Sequence, residues 1–116
     1  MAKWSGNERR ISARIRRKVA CKVNVGALVM VGQTQDISIG GVRFEAELDA
    51  ETIKSADGAH GNVTLLLDNK ELVLRARVIW VEGQMIALAF KDGTRSDEGK
   101  ALKELLIAFS AAEDRP

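Results

Sequence analysis

Two short runs hold residues whose types and spacing could do chemistry. The first is Arg9-Arg10-Ile11-Ser12-Ala13-Arg14, an R-R-x-x-x-R run; the second, downstream, is Asp36-Ile37-Ser38-Ile39-Gly40-Gly41, a D-x-S-x-x-G run. Arginine forks phosphate oxygens and can also fork the O6 and N7 acceptors of guanine. A carboxylate only accepts, and guanine offers donors at N1 and N2. Fixed cations, one carboxylate, one hydroxyl and a glycine turn therefore suit a ligand that carries phosphates and a purine edge. Taken singly, each run is ordinary. An arginine run serves equally as a solvated arm or a nonspecific nucleic-acid contact. Asp36 and Ser38 could simply cap the amides of a turn in which Gly41 supplies positive φ.

The elements that must position these residues are strands. Residues 1–8 are small, polar and without periodicity, as in a flexible end. From Lys18 to Val25, Val19, Cys21, Val23 and Val25 alternate with polar residues, the pattern of a half-buried strand. Gly26 allows a turn, and Ala27–Val31 reads as a second strand. Gly32 is expected to mark a bulge or bend, after which Gln33–Ile37 leads into the Gly40-Gly41 turn. Val42, Phe44, Ala46 and Leu48 give a third strand. Residues 49–61 form a connection in which Asp49 can cap a short helical turn. Val63, Leu65 and Leu67 open the next strand, and Asp68-Asn69-Lys70 has hairpin composition. Leu72, Leu74, Ala76, Val78 and Trp80 fall on one face of a long strand. Glu82-Gly83-Gln84 turns into a last strand, Met85–Lys91. Six or so strands with short turns argue for an antiparallel barrel or sandwich.

The tail changes period. Ser96 can cap a helix with Asp97 and Glu98 in its first turn, and Leu102, Leu105, Leu106 and Phe109 recur at helical spacing. Such a stripe either packs on the barrel or docks a partner, and packing is the expectation. The helix is placed at about 96–112, inside a domain spanning 9–112, with 113–116 as a tail.

Bulk properties narrow the class. With 116 residues the chain suits one domain. Its net charge is only +2, yet residues 1–22 carry +7 and the remainder −5. A basic arm on an acidic body points to an anionic partner for the arm alone. Cys21 is the only cysteine, so an intramolecular disulfide is impossible; its phase with Val19 and Val23 reads as a buried thiol. The N-terminus lacks a signal-peptide core, and no apolar run is long enough to span a bilayer, so a cytoplasmic location without membrane insertion is expected. Catalysis has little support. His60, the only histidine, sits alone in a connection, no histidine–cysteine cluster suits zinc, and neither a nucleophile elbow nor a P-loop is present. Asp57 and Asp68 read as turn residues. A non-enzymatic protein without cofactor is expected.

The two runs in combination, in this order and leading into Val42-Arg43-Phe44, resemble the PilZ family, bacterial receptor domains for cyclic di-GMP. The segments Ala76-Arg77-Val78-Ile79-Trp80-Val81-Glu82-Gly83 and Ala87-Leu88-Ala89-Phe90 also resemble that family's closing strands, so the likeness covers about residues 8–110. It implies an all-β, six-stranded antiparallel, Greek-key-like barrel with an appended C-terminal helix and a flexible basic N-terminal arm that folds over the ligand. By resemblance Arg10 and Arg14 match the paired arginines that fork guanine edges and phosphates, and Arg9 the residue ahead of them. Asp36 and Ser38 match the polar pair on a guanine edge, and Gly41 the glycine that lets backbone and ligand approach. Gly40 is an added contact. Trp80 stands where some members stack an aromatic on guanine, although its apolar neighbours in phase make a core role equally open. An arginine at position 9 accompanies two stacked ligands per protomer in the family. Arg16, Arg17 and Lys18 extend the basic run beyond the motif.

The resemblance thus implies an adaptor that binds cyclic di-GMP and signals to an unidentified downstream protein in motility, polysaccharide or pilus output. Two rivals stand beside it. One is a small barrel that clamps nucleic acid with its arm, disfavoured because aromatics are only 4% of the chain and residues 23–116 are acidic. The other is a structural subunit that binds no small ligand and associates through its tail helix.

Overall fold

In a computed structural model that describes residue 15, residues 18–67 and residues 69–113, alternation of apolar and polar side chains becomes six strands. They are β1 (Ala20–Val25), β2 (Leu28–Ile37), β3 (Gly41–Ala46), β4 (His60–Leu67), β5 (Lys70–Glu82) and β6 (Met85–Phe90). All neighbours are antiparallel, and the order β1-β2-β3-β6-β5-β4 closes because β4 also pairs with β1. A closed barrel leaves no unpaired sheet edge. One alternate set of side chains from each strand fills the interior: Val23, Met30, Phe44, Val63, Leu65, Val78 and Ile86 are essentially inaccessible. Cys21 belongs to this set, and burial pushes its thiol up to about 12. The turn-forming residues sit where expected: Gly26, Asn69 and Gly83 adopt positive φ at the tips of the β1–β2, β4–β5 and β5–β6 hairpins.

The crossover from β3 to β4 carries helix α1 (Ala50–Lys54). Asp49 caps it, its carboxylate accepting from the Thr52 amide at 3.0 Å, and Ile53 is driven into the core. The connection is shorter than the sequence suggests. His60 and Gly61 are not in a loop but open β4, paired with Arg77 and Ala76.

After a 3-10 turn (Gly93–Arg95), helix α2 spans Asp97–Glu113. Ser96 caps it by accepting from the Gly99 amide at 3.0 Å. Leu102 and Leu106 join the barrel's core, with Leu105 and Phe109 packed beside them. The apolar stripe therefore covers the barrel, where each buried leucine contributes about 1.5–3 kcal/mol relative to exposure.

Two further expectations change. Gly32 is not a bulge: it pairs in register with Cys21 and Ala46. A Cβ there would run into the Glu45 carbonyl oxygen, so close backbone approach explains the glycine. The irregularity in β2 falls between Thr34 and Asp36 instead. Ile15, just after the arginine run, is wholly buried and forms an antiparallel bridge with Ile37, exchanging amide hydrogen bonds of 2.9 and 3.0 Å. Ile15, directly after the arginine run, is thus part of the core. Among the described residues no helix is long and apolar enough to cross a membrane.

Candidate functional site

Strict alternation would send Asp36 inward after Met30 and Thr34, because all three lie on the even face of β2. The extra residue between Thr34 and Asp36 reverses the phase. Ile37 turns into the core opposite Val42, while Asp36 pairs with Arg43 on the outside. A second bulge does the same on β5. Val78 pairs with Leu88, but Trp80 pairs with Ala87, leaving Ile79 as the extra residue. Trp80 is therefore not on the face of Leu72, Leu74, Ala76 and Val78. Val81 takes the inward position opposite Ile86, and Trp80 emerges on the outer surface, half-buried.

The registers align one row across four strands: Asp36 on β2, Arg43 on β3, Ala87 on β6 and Trp80 on β5. One step along the sheet, Gly41 and Ala89 form the next row. Above these rows lies a cleft of about 450 Å³ lined by Asp36, Ser38, Gly40, Gly41, Arg43, Ile79, Trp80, Ala87 and Ala89, among others. Its floor is glycine and alanine, so the space comes from missing side chains. Its walls are an ion pair on one side and an indole on the other.

Asp36 is almost inaccessible, 6% exposed at its side chain, and Arg43 is 44% exposed. Arg43 donates from Nε and approaches with Nη2 at 2.9 and 2.7 Å, both to Oδ2. Ser38 holds the turn between β2 and β3. Its amide donates to the Gly41 carbonyl at 2.9 Å, and its hydroxyl oxygen accepts from the Gly40 amide at 3.2 Å. The Gly40 carbonyl in turn accepts from the Phe90 amide at 3.0 Å, tying the turn to β6. Gly41 does not adopt positive φ; a Cβ there would run into the Leu88 carbonyl oxygen of β6. Gly40 faces open space, with only the Ser38 Oγ near its hypothetical Cβ, at 3.9 Å.

Of the eight residues singled out in the sequence, Asp36, Ser38, Gly40, Gly41 and Trp80 line this one cleft, although Trp80 is distant in sequence from the rest. Arg9, Arg10 and Arg14 lie outside the described residues, as do Arg16 and Arg17. Ile15, the covalent neighbour of Arg14, is bridged to Ile37, the residue between Asp36 and Ser38. Sequence reasoning missed Arg43, Ala87 and Ala89 as cleft residues. Alternation does put Arg43 on an outer face, but its pairing with Asp36 depends on the β2 bulge, which no residue type announces.

The comparisons with known proteins agree with this architecture. The PilZ domain structure of CeSA from a cellulose-synthesizing bacterium superposes with a TM-score of 0.64 at 21% identity, covering 87% of this chain and 99% of that one. The uncharacterized Legionella protein Lpg0364 gives 0.58 at 18% identity, covering 89% and 99%. The Bacillus subtilis inhibitor of motility, MotI/DgrA, gives 0.64 at 14% identity, covering 92% of this chain and 53% of its own. No curated protein matches the sequence. The model of the PilZ domain matches residues 8–108, from the arginine run to the C-terminal helix, and the chain belongs to the PilZ domain family.

Proposed function

We propose that this chain is a non-enzymatic receptor for cyclic di-GMP, acting as an adaptor in the cytoplasm, where it signals to a downstream protein. The observation that carries this reading is convergence on one surface. Asp36, Ser38, Gly40, Gly41 and Trp80 surround a single cleft, and Arg14 directly precedes Ile15, which is bridged to Ile37, the residue between Asp36 and Ser38. The cleft supplies a guanine acceptor in Asp36 and a stacking face in Trp80. Arg9, Arg10 and Arg14 supply cations for phosphates and guanine edges. Free of ligand, the arm's cations repel one another; the ligand's phosphates neutralise them and order residues 9–14 across the barrel. The ligand's stronger binding to that ordered state drives the change, and the new surface meets the partner. A polysaccharide or motility output fits the names of two structural relatives, CeSA and the inhibitor of motility. The acidic body disfavours the nucleic-acid reading.

Calorimetric titration with cyclic di-GMP tests the proposal. The unaltered chain should give saturable heat. Arg14→Ala should weaken binding at least about tenfold, since a lost charge-assisted fork costs about 1.5–3 kcal/mol, with the apo melting temperature unchanged. Absence of heat, together with salt-sensitive RNA binding, would favour the nucleic-acid reading.

A further inference from the structure

At the opposite end of β2 from Asp36, the outer face of the barrel is apolar. Val29 and Val31 occupy consecutive outward positions there, 54% and 47% exposed. Adjacent exposed valines form a patch, unlike apolar residues scattered singly over a surface. Val31 also has one charge on each side. Lys22 of β1 is its register partner, and the Glu47 amide, just past β3, donates to its carbonyl at 2.8 Å. Lys22 and Glu47 are both exposed, and with Val31 they line one groove of about 420 Å³. Two strand spacings, about 9.6 Å, separate their backbones. Neither forms an ion pair among the described residues. We infer that this stripe is the seam of a symmetric dimer, in which β2 of one copy packs on β2 of a second and each Lys22 meets the other copy's Glu47.

The row Glu47–Val31–Lys22 is its own complement. A twofold axis running along β2 exchanges the two flanks of the strand. Val29 and Val31 then meet their counterparts, and the cation of each copy comes opposite the anion of the other. Other occupants fit less well. An acidic partner is repelled by Glu47 and a basic one by Lys22, while a wholly apolar one buries both charges unpaired. The lysine stem lies along the valines and keeps its ammonium at the rim. A net charge of +2 sets up little general repulsion between copies. The seam contains none of the residues that line the cleft. Its extent is small, about 10 Å by 14 Å between backbones over three strands and three rows, against about 800 Å² per partner in a stable complex. The dimer is therefore weak, half-formed at about 0.1–1 mM.

Sedimentation equilibrium of the full chain over a concentration series tests this. The average mass should rise from monomer toward dimer as concentration increases. Val31→Ser should abolish the rise, and Lys22→Glu or Glu47→Lys should each weaken association about tenfold by facing like charges. Combining both reversals in one chain should restore it, as should mixing the two single variants, because either arrangement pairs opposite charges again. Loss of folding cannot imitate that rescue, and melting curves of each variant check the barrel separately. Calorimetry with cyclic di-GMP on the same variants should give the heat of the unaltered chain, which separates this seam from the receptor reading. A chain that stays monomeric throughout the series overturns the proposal and leaves the face to a partner of different sequence. A dimer indifferent to Val31→Ser, or one weakened by the single reversals and not restored by their combination, overturns it too.

Discussion

Single residues in this protein are defined by which side of the barrel wall they occupy. Cys21 shows the inward case. Its thiol is held at about 12, against 9.0 in an unfolded chain, because burial disfavours the thiolate. Between these values the unfolded chain sheds a proton that the folded chain keeps, so stability is intact below pH 9 and declines as pH rises. The slope reaches about 1.4 kcal/mol per pH unit for this one proton. Urea unfolding at stepwise alkaline pH should therefore show a shallower decline for Cys21→Ala than for the unaltered chain; equal slopes would show that Cys21 titrates alike in both states. Asp36 shows the outward case, where near-burial is tolerated because a guanidinium lies 2.7 Å away.

Elements differ in what they tolerate. Gly40 and Gly41 are adjacent in one turn, yet only Gly41 is pressed against another strand's carbonyl. Gly41→Ala should cost about 1–3 kcal/mol or more in chemical denaturation as β3 and β6 are forced apart, while Gly40→Ala should be near neutral for folding. The reverse ranking would mean that the turn, not the β3–β6 contact, sets the requirement. Helix α2 offers a similar contrast. Leu102→Ala should lose about 2–5 kcal/mol, because its side chain is in the barrel's core, whereas Ile107→Ser, on a half-exposed position, should change the melting temperature little. A helix that only docked partners would show the opposite.

At the scale of the whole molecule, charge is divided between an arm of +7 over residues 1–22 and a body of −5. A stacked pair of ligands would bring four phosphates together, and their repulsion calls for more cations than two arginines supply. Arg9 adds one, so two cyclic di-GMP molecules per protomer are expected at saturation. Arg9→Leu should reduce this to one and flatten the salt dependence of binding. Calorimetry and native mass spectrometry read both numbers directly, and a single ligand on the unaltered chain would refute the pair without touching the receptor reading.

Much of this was legible in the residues themselves. Period-two alternation from Val19 to Phe90 and the switch to helical spacing after Ser96 specify six strands and a terminal helix, because burial on one face acts on each element locally. The D-x-S-x-x-G run likewise announced its own turn. What alternation could not reach was the effect of two added residues. Read by pattern alone, Asp36 and Trp80 fall on inward faces; the irregularities after Thr34 and Val78 bring both to the outside. A bulge is set by how neighbouring strands close the barrel, not by the type of the residue that bulges. The same closure paired Arg43 with Asp36 and laid Ala87 between Arg43 and Trp80. Local sequence therefore determined the strands and the motif, and only the tertiary register decided which side chains share the cleft.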